Sequence, residues 1–387
     1  MLRVVVLGAA AGGGVPQWNC GCLCNSRNKT DASNKIIHTK MKVCLVQSLI
    51  GAGGGNDAVL NQMLESLKGN DITVYTNSKP LIEINQKVET KFPIKLPYFG
   101  LYQQLLGWKT PENFNRFDVI IILSGNMVIN TTGKKMYHYN QNNFGDVTEN
   151  TISKYKSGVW SLYYLPFKLT LKSLRKKIKN SNIEFIANSK YVATRMRQRY
   201  GKELKVIYPP INLKEFKNMP KKKQVITVAR FSKEKNLEEA VEIMNMFSTP
   251  YYIYGTAIGA NQLYYNMLKQ KIEKNIELCN NKPRKEMLER LAESKVFLHT
   301  SIETFGISVV EAIASGCVPI VPNNSANIET VPIDELRFDN VIQARKKMVK
   351  ALNGDYDKYL QQLQDHIQQF DVSKFNHEIN KLVANEN

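Results

Sequence analysis

Acidic residues are scarce where this chain is most basic. Between residues 154 and 179 there is no aspartate or glutamate. Residues 41–220 hold 26 Lys and Arg against 12 Asp and Glu, whereas residues 221–387 hold 22 against 21. The formal net charge of +19 therefore sits mainly in one half. Such asymmetry fits an anionic counterpart (a membrane surface, a nucleic acid or a phosphorylated acceptor), or else a solvated basic face. Long apolar runs are also missing. No stretch reaches the roughly 18 uncharged apolar residues of a membrane-spanning helix. The amino terminus lacks the apolar core and small-residue cleavage site of a secretory signal. Cysteine is sparse, six in 387 residues. Cys44, Cys279 and Cys317 lie singly in apolar segments, which suits buried reduced thiols and excludes a disulfide framework. Together these absences predict a cytoplasmic protein, peripheral at most on the cytoplasmic face of a membrane.

What is present is an ordinary globular composition, 43% hydrophobic and 22% charged, in a chain long enough for two or three domains. "MKVCLVQSLI" (41–50) reads as a buried strand, "GAGGG" (51–55) as a glycine loop, and Ala58, Val59, Met63, Leu64 and Leu67 as one helical face. Short apolar runs then alternate with helical segments: "ITVY" (72–75), "FDVIIIL" (117–123), "KMYHY" (135–139), "IEFIA" (183–187) and "LKVIY" (204–208). After the proline-punctuated linker "YPPINLKEFKNMPKKK" (208–223) the alternation restarts. "QVITVA" (224–229), "YYIYG" (251–255), "IELC" (276–279), "KVFLHT" (295–300) and "CVPIV" (317–321) are its strands. Alternation of this kind predicts an α/β fold of two doubly wound, Rossmann-like domains, at 41–215 and 224–345, with C-terminal helices over 346–387. Ligands of such sheets gather at the carboxyl ends of the strands, here in a cleft between the domains.

The densest chemistry is "TSIETFGISVVEAIASGCVP" (300–319). Glu303 lies in the loop after a strand, and "FGIS" opens a helix whose free N–H groups suit an anion. Gly306 admits close approach to the backbone. Glu311 falls one to two turns into that helix. A carboxylate that accepts from two vicinal hydroxyls makes a good ribose clamp. The pattern thus offers hydroxyl clamps on both sides of a phosphate cradle, which suits a nucleotide sugar.

At this point the chain resembles a family. "ETFGISVVEAIASGCVPIV" is similar to the E-x7-E signature of the GT4 retaining glycosyltransferases, which have the GT-B fold. "ITVARFSKEKN" (226–236) matches that family's Arg and Lys pair, and "NSKYVATRM" (188–196) with "VIYPPIN" (206–212) resembles the end of its first domain. The likeness runs from residue 41 to about 340. It implies that Glu311 binds the nucleotide ribose and Glu303 the donor-sugar hydroxyls. Phe305, Gly306 and Ile307 would offer backbone amides, and Arg230 and Lys235 would neutralise the leaving diphosphate. The loop of Gly53, Gly54 and Gly55 would close over the donor phosphates. His138 would touch the donor sugar, a reading that stands beside a purely structural one. The resemblance implies no cofactor and no metal; "DYD" (355–357) reads as a solvated turn.

"VWSLYYLPFKLTLKSLRKKIKN" (159–180) places Trp160, Tyr163, Tyr164, Phe167, Leu171, Leu174 and Ile178 on one helical face, and Lys168, Lys172, Arg175, Lys176 and Lys179 elsewhere. That composition suits a helix lying on anionic lipid, or else a core-packed helix with a solvated face. With the glycine loop and the "YPP" segment, it most resembles the lipid-linked-oligosaccharide mannosyltransferases within GT4. The resemblance implies GDP-mannose as donor and a lipid-linked glycan as acceptor. It departs at Asn56 and Asp57, where that family's loop continues Glu-Arg. Alternatives are a soluble GT-B enzyme using a UDP-sugar, a sugar-nucleotide epimerase, or, on charge alone, a nucleic-acid-binding protein. The last leaves Glu303, Glu311, Arg230 and Lys235 unexplained.

Residues 1–26 resemble the amino-terminal segment of the PqqB family, metallo-β-lactamase-fold proteins of pyrroloquinoline quinone biosynthesis. The cysteines depart from that family's C-x-C-x-x-C, running Cys20-x-Cys22-x-Cys24, and the fold's histidine-rich metal motif is absent downstream. Residues 1–40 are therefore expected to be a leader or fused extension, with Met41 a natural start.

Overall fold

A computed structural model describes residues 40–51, 55–92, 114–124, 135–141, 161, 162, 165, 169, 176, 181, 183–259 and 261–384. One compact unit begins at Lys42. Its described residues build two parallel sheets.

The first sheet comprises β1 (Lys42–Val46), β2 (Asp71–Ser78), β3 (Lys87–Phe92), β4 (Val119–Ile122), β5 (Lys135–Asn140), β6 (Glu184–Ala187) and β7 (Lys205–Val206). Their order in space is β3-β2-β1-β4-β5-β6-β7. The second comprises β8 (Lys222–Val228), β9 (Tyr251–Gly255), β10 (Ile276–Asn280), β11 (Ser294–Leu298), β12 (Val318–Pro322) and β13 (Arg337–Phe338), ordered β10-β9-β8-β11-β12-β13. Every pairing is parallel. In both sheets the order reverses beside the first strand, at β1/β4 and β8/β11. A topological switch point of this kind opens a crevice at the strands' carboxyl ends. The central strands read as continuous apolar runs because helices cover both faces. Val43, Cys44, Leu45 and Val46 have no exposed surface, and neither do Val296, Phe297 and Leu298.

The described helices are α1 (Gly55–Ser66), α2 (Lys190–Tyr200), α3 (Leu237–Met244), α4 (Asn261–Lys269), α5 (Arg284–Glu293), α6 (Ile307–Ala314), α7 (Asn327–Thr330), α8 (Val341–Asn353), α9 (Leu360–Ile367) and α10 (Val372–Ala384). The C-terminal helices are divided between the sheets. Met348 and Ala351 of α8 and Leu363 and Ile367 of α9 join the second core. At Asp371 the chain turns, pairs with Ile211 of the linker, and sends α10 back to the first half. There the Asn376 side chain accepts from Gln62 Nε2 (2.8 Å) and Ser66 Oγ (2.6 Å) of α1, and Tyr139 meets Phe375 edge-on. Two strands of chain thus cross between the halves.

A second connection ties the halves. Ser189 caps α2, accepting from Val192 N, and its hydroxyl donates to the Thr304 carbonyl at 2.5 Å. The next two amides of α2 point at the Glu329 carboxylate, with Lys190 N at 3.0 and 3.1 Å from its two oxygens. A carboxylate at a helix N-terminus satisfies orphan N–H groups and meets the positive end of the dipole. The "NSK" segment of the first half is thereby anchored to the residue after Glu303.

Candidate active site

The chain leaving β11 alternates its side chains, so His299, Ser301 and Glu303 lie on one side. All three are drawn to one point. Ser301 Oγ donates to Glu303 Oε1 at 2.7 Å, His299 Nε2 lies 3.0 Å from Ser301 Oγ and 3.5 Å from Glu303 Oε1, and Lys235 Nζ donates to the same oxygen at 2.6 Å. Among the described residues, Oε2 has no hydrogen-bond partner. The Lys235 and Glu303 side chains are only 19% and 15% exposed, so the pair is shielded from bulk screening. Burial alone would raise the Glu303 carboxyl; His299 and Lys235 outweigh it and hold the group well below the usual carboxylate range. Glu303 is therefore ionised, pinned through one oxygen and open at the other.

Its backbone is fixed as well. Glu303 N donates to Ser325 Oγ (3.2 Å), and Glu303 O accepts from Ala326 N (3.2 Å). The Phe305 ring is buried against Tyr208 (5.8 Å between centroids) and Phe370 (5.1 Å, edge-on). Gly306, at φ 90°, is the N-cap of α6. None of the amides of Phe305, Gly306 and Ile307 donates to an acceptor among the described residues. Gly306→Ala must place a Cβ in that left-handed backbone region. We expect a loss of about 1–2 kcal/mol in unfolding free energy, read from the urea midpoint at unchanged m-value.

Glu311 is held apart from the Lys235–Glu303 group. Its Oε1 lies 3.3 Å from Arg284 Nη2 at the start of α5, and the same guanidinium grips Glu215 through Nε and Nη2, both at 3.1 Å. Burial raises the Glu311 carboxyl, Arg284 opposes that rise, and Glu215 adds to it.

The remaining predicted residues divide. Arg230 lies close to Lys235 in sequence but is exposed and pairs with Glu234 (3.3 Å). Gly55 opens α1 against the helix carrying Glu311: a Cβ there would sit 3.2 Å from Ile307 Cδ1. Asp57, which departs from the resembled loop, turns its Oδ1 back to accept from Gln47 Nε2 (2.9 Å) and Gly51 N (3.1 Å), bracing the turn from which the glycine loop starts. His138 is buried in β5 and stacks on Phe185 at 5.6 Å. Gly53, Gly54, Trp160, Tyr163, Tyr164, Phe167, Lys168, Lys172 and Arg175 lie outside the described residues, as do Cys20, Cys22 and Cys24. Lys176 is exposed. Among the described residues, no three His, Cys, Asp or Glu side chains group as metal ligands, and no helix is long and apolar enough to cross a membrane. Asp357 of "DYD" pairs with Lys295 at 3.3 Å.

Sequence reasoning missed His299, Ser301, Arg284 and Glu215. The first two had a signal, the alternation His-x-Ser-x-Glu after a strand. Arg284 and Glu215 stand 69 residues apart and meet only through the fold.

The profile of the group 1 glycosyl transferases matches residues 211–366. A Dictyostelium discoideum protein, "GDP-Man:Man(3)GlcNAc(2)-PP-Dol alpha-1,2-mannosyltransferase", is 21% identical over 86% of this chain and 82% of its own length. The structure of Anabaena HepE in complex with UDP and glucose superposes with a TM-score of 0.66 at 15% identity, covering 89% of this chain and all of that one. A different likeness is short: 22 residues are 96% identical to coenzyme PQQ synthesis protein B of Rhodopseudomonas palustris, 6% of this chain and only 7% of that protein. The profile match spans Arg230, Lys235, Glu303 and Glu311, and the two parallel sheets are those of GT-B structures. Residues 211–366 match the group 1 glycosyltransferase family, and the two sheets have the GT-B fold.

Proposed function

We propose that this glycosyltransferase moves mannose from GDP-mannose, with retention, to a lipid-linked glycan at an anionic membrane surface. The observation that carries the donor site is the convergence at the start of α6. Three unpaired amides and the free oxygen of Glu303 lie on one short loop, the Lys235 ammonium reaches that loop from the turn before α3, and Glu311 stands eight residues on from Glu303. In this reading the amides and Lys235 take the diphosphate, Arg230 adds a second cation, and Glu303 Oε2 accepts from a sugar hydroxyl. Glu311 accepts from the ribose. No metal is called on: fixed donors aimed at the oxygen where charge develops stabilise the leaving group directly. The acceptor hydroxyl attacks the anomeric carbon on the face from which the diphosphate leaves. The carbon–phosphate-oxygen bond breaks, the new glycosidic bond forms, and the hydroxyl proton passes to the departing phosphate. His138, buried and stacked on Phe185, fits a structural role better than a sugar contact.

The mannosyl donor and lipid-linked acceptor rest on the named activity of the Dictyostelium relative. Membrane contact is supported by the basic first half and by Leu162, Leu165 and Leu169, which are 71%, 51% and 62% exposed in the stretch expected to lie on lipid. Exposed leucines beside lysines suit the boundary of an anionic bilayer. The test is transfer of radiolabelled mannose from GDP-mannose to a polyisoprenyl-diphosphate glycan in vesicles with and without anionic lipid. We expect labelled lipid, with the higher rate on anionic vesicles. Label transferred only from a UDP-sugar would replace the donor, and equal rates on neutral and anionic vesicles would remove the membrane contact. Interconversion of a nucleotide sugar without transfer would make the chain an epimerase.

A further inference from the structure

The Arg284 guanidinium is shared between two carboxylates of different standing. Its two bonds to Glu215, both at 3.1 Å, form a fork-to-fork pair with the turn of the linker that joins the halves. Its remaining reach, 3.3 Å from Nη2, falls on Oε1 of Glu311. Glu215 and Arg284 side chains are 38% and 52% exposed, whereas that of Glu311 is 13% exposed. The arrangement therefore has an anchor on the outside and a nearly buried acid on the inside. A planar guanidinium suits this task because the fork fixes its orientation, leaving one N–H directed at a third group. An exposed pair such as Arg284–Glu215 adds little stability by itself. Its consequence lies in where it holds the cation.

Resting on the donor-site reading above, we propose that Arg284 is a positioning residue for nucleotide binding, clamped by Glu215 so that it holds the Glu311 carboxylate oriented toward the ribose. A ribose clamp must be a carboxylate, since a protonated acid offers one acceptor fewer and adds a donor. Glu311 sits where burial favours the protonated form, and Arg284 is the cation that opposes it. The other titratable neighbours do not substitute for it. Glu215 carries the same charge as Glu311. On α9, which packs against α6, His366 is engaged with the Glu329 carbonyl and Asp365 with Gln361. In this arrangement Glu311 can give its Oε2 and part of Oε1 to the vicinal hydroxyls while Arg284 remains fixed by Glu215.

The test is titration calorimetry of the full chain with GDP, UDP and ADP at about pH 6.5 and about pH 8.5, in physiological salt. Arg284→Gln should weaken the preferred nucleoside diphosphate several-fold, and by more at the lower pH than at the higher. The loss should shrink at the higher pH, because each pH unit below a carboxyl's pKa costs about tenfold in its ionised fraction. Arg284→Lys, which keeps the charge and loses the fork, should bind between the two. A merely structural arginine would lower affinity equally at both pH values; that result, or unchanged affinity, would overturn the proposal. Glu311→Gln separates the two levels of the argument. If it binds as the parent does, the donor-site reading itself fails. If it loses binding while Arg284→Gln does not, only the role of Arg284 fails.

Discussion

Lys235→Met is expected to slow sugar transfer by about 10²–10³-fold and to destabilise the protein in the same stroke. The rate term follows from removing one preorganised donor to the leaving oxygen, a change of that order in other active sites. The stability term follows from Glu303, whose side chain is 15% exposed and would lose its cation. Breaking a buried pair costs about 3–5 kcal/mol where nothing else satisfies the survivor. Here Ser301 and His299 remain, so the lower end applies. The pH dependence has a definite sign. The Glu303 carboxyl is depressed in the folded state, so its ion-pair stability is complete above the unfolded value of about 4.3 and fades as the solution is acidified below it. Urea midpoints of parent and Lys235→Met should therefore differ most at neutral pH and converge in acid. A variant that kept its stability at neutral pH and lost only activity would show that the pair in this structure is not formed in solution.

Glu311→Gln should show the opposite combination: nucleotide binding weakened about 10–100-fold, with no loss of stability. Charge-assisted hydrogen bonds contribute about 1.5–3 kcal/mol each, and an amide keeps only part of that acceptor strength. Stability behaves differently because burial raises the Glu311 carboxyl above its unfolded value. A group of this kind is progressively disfavoured as pH climbs from its unfolded to its folded pKa, so at neutral pH its ionisation costs stability. Glutamine removes that cost, and Arg284 keeps its fork on Glu215. The thermal midpoint of the variant should equal or exceed the parent's, while the shift produced by a given concentration of nucleoside diphosphate shrinks. A variant that melts well below the parent would mean that the Arg284–Glu311 contact is structural.

Residues 300–319 made much of the candidate site legible because its chemistry is local. Glu303, the glycine turn and Glu311 follow one another along a loop and a helix, and the backbone does the rest. The strands were equally visible where both faces are buried, as in "KVCLV" and "KVFL". The edge strand β3, "KVETKF", escaped notice because its charged residues break the apolar run that marks a buried strand, and β13 has only two residues. The resemblance assigns Phe305 only a backbone amide. Its ring also packs between Tyr208 of the linker and Phe370 of the returning chain, a contact no local pattern could announce. Arg284, Glu215, Ser189 and Glu329 escaped for the same reason: each finds its partner through the tertiary fold. The return of α10 to the first sheet was likewise invisible, since its apolar stripe of Phe375, Ile379 and Val383 shows a buried face without saying which sheet buries it.

The most direct test is equilibrium binding of GDP-mannose, UDP-glucose and ADP-glucose to the full chain, in physiological salt so that the net charge of +19 does not bind every anion alike. The account predicts saturable, selective binding of one nucleotide sugar, lost in both Glu311→Gln and Lys235→Met. Binding that is equal for all three, or that survives both substitutions, would contradict a donor site built from Lys235, Glu303 and Glu311 around the start of α6.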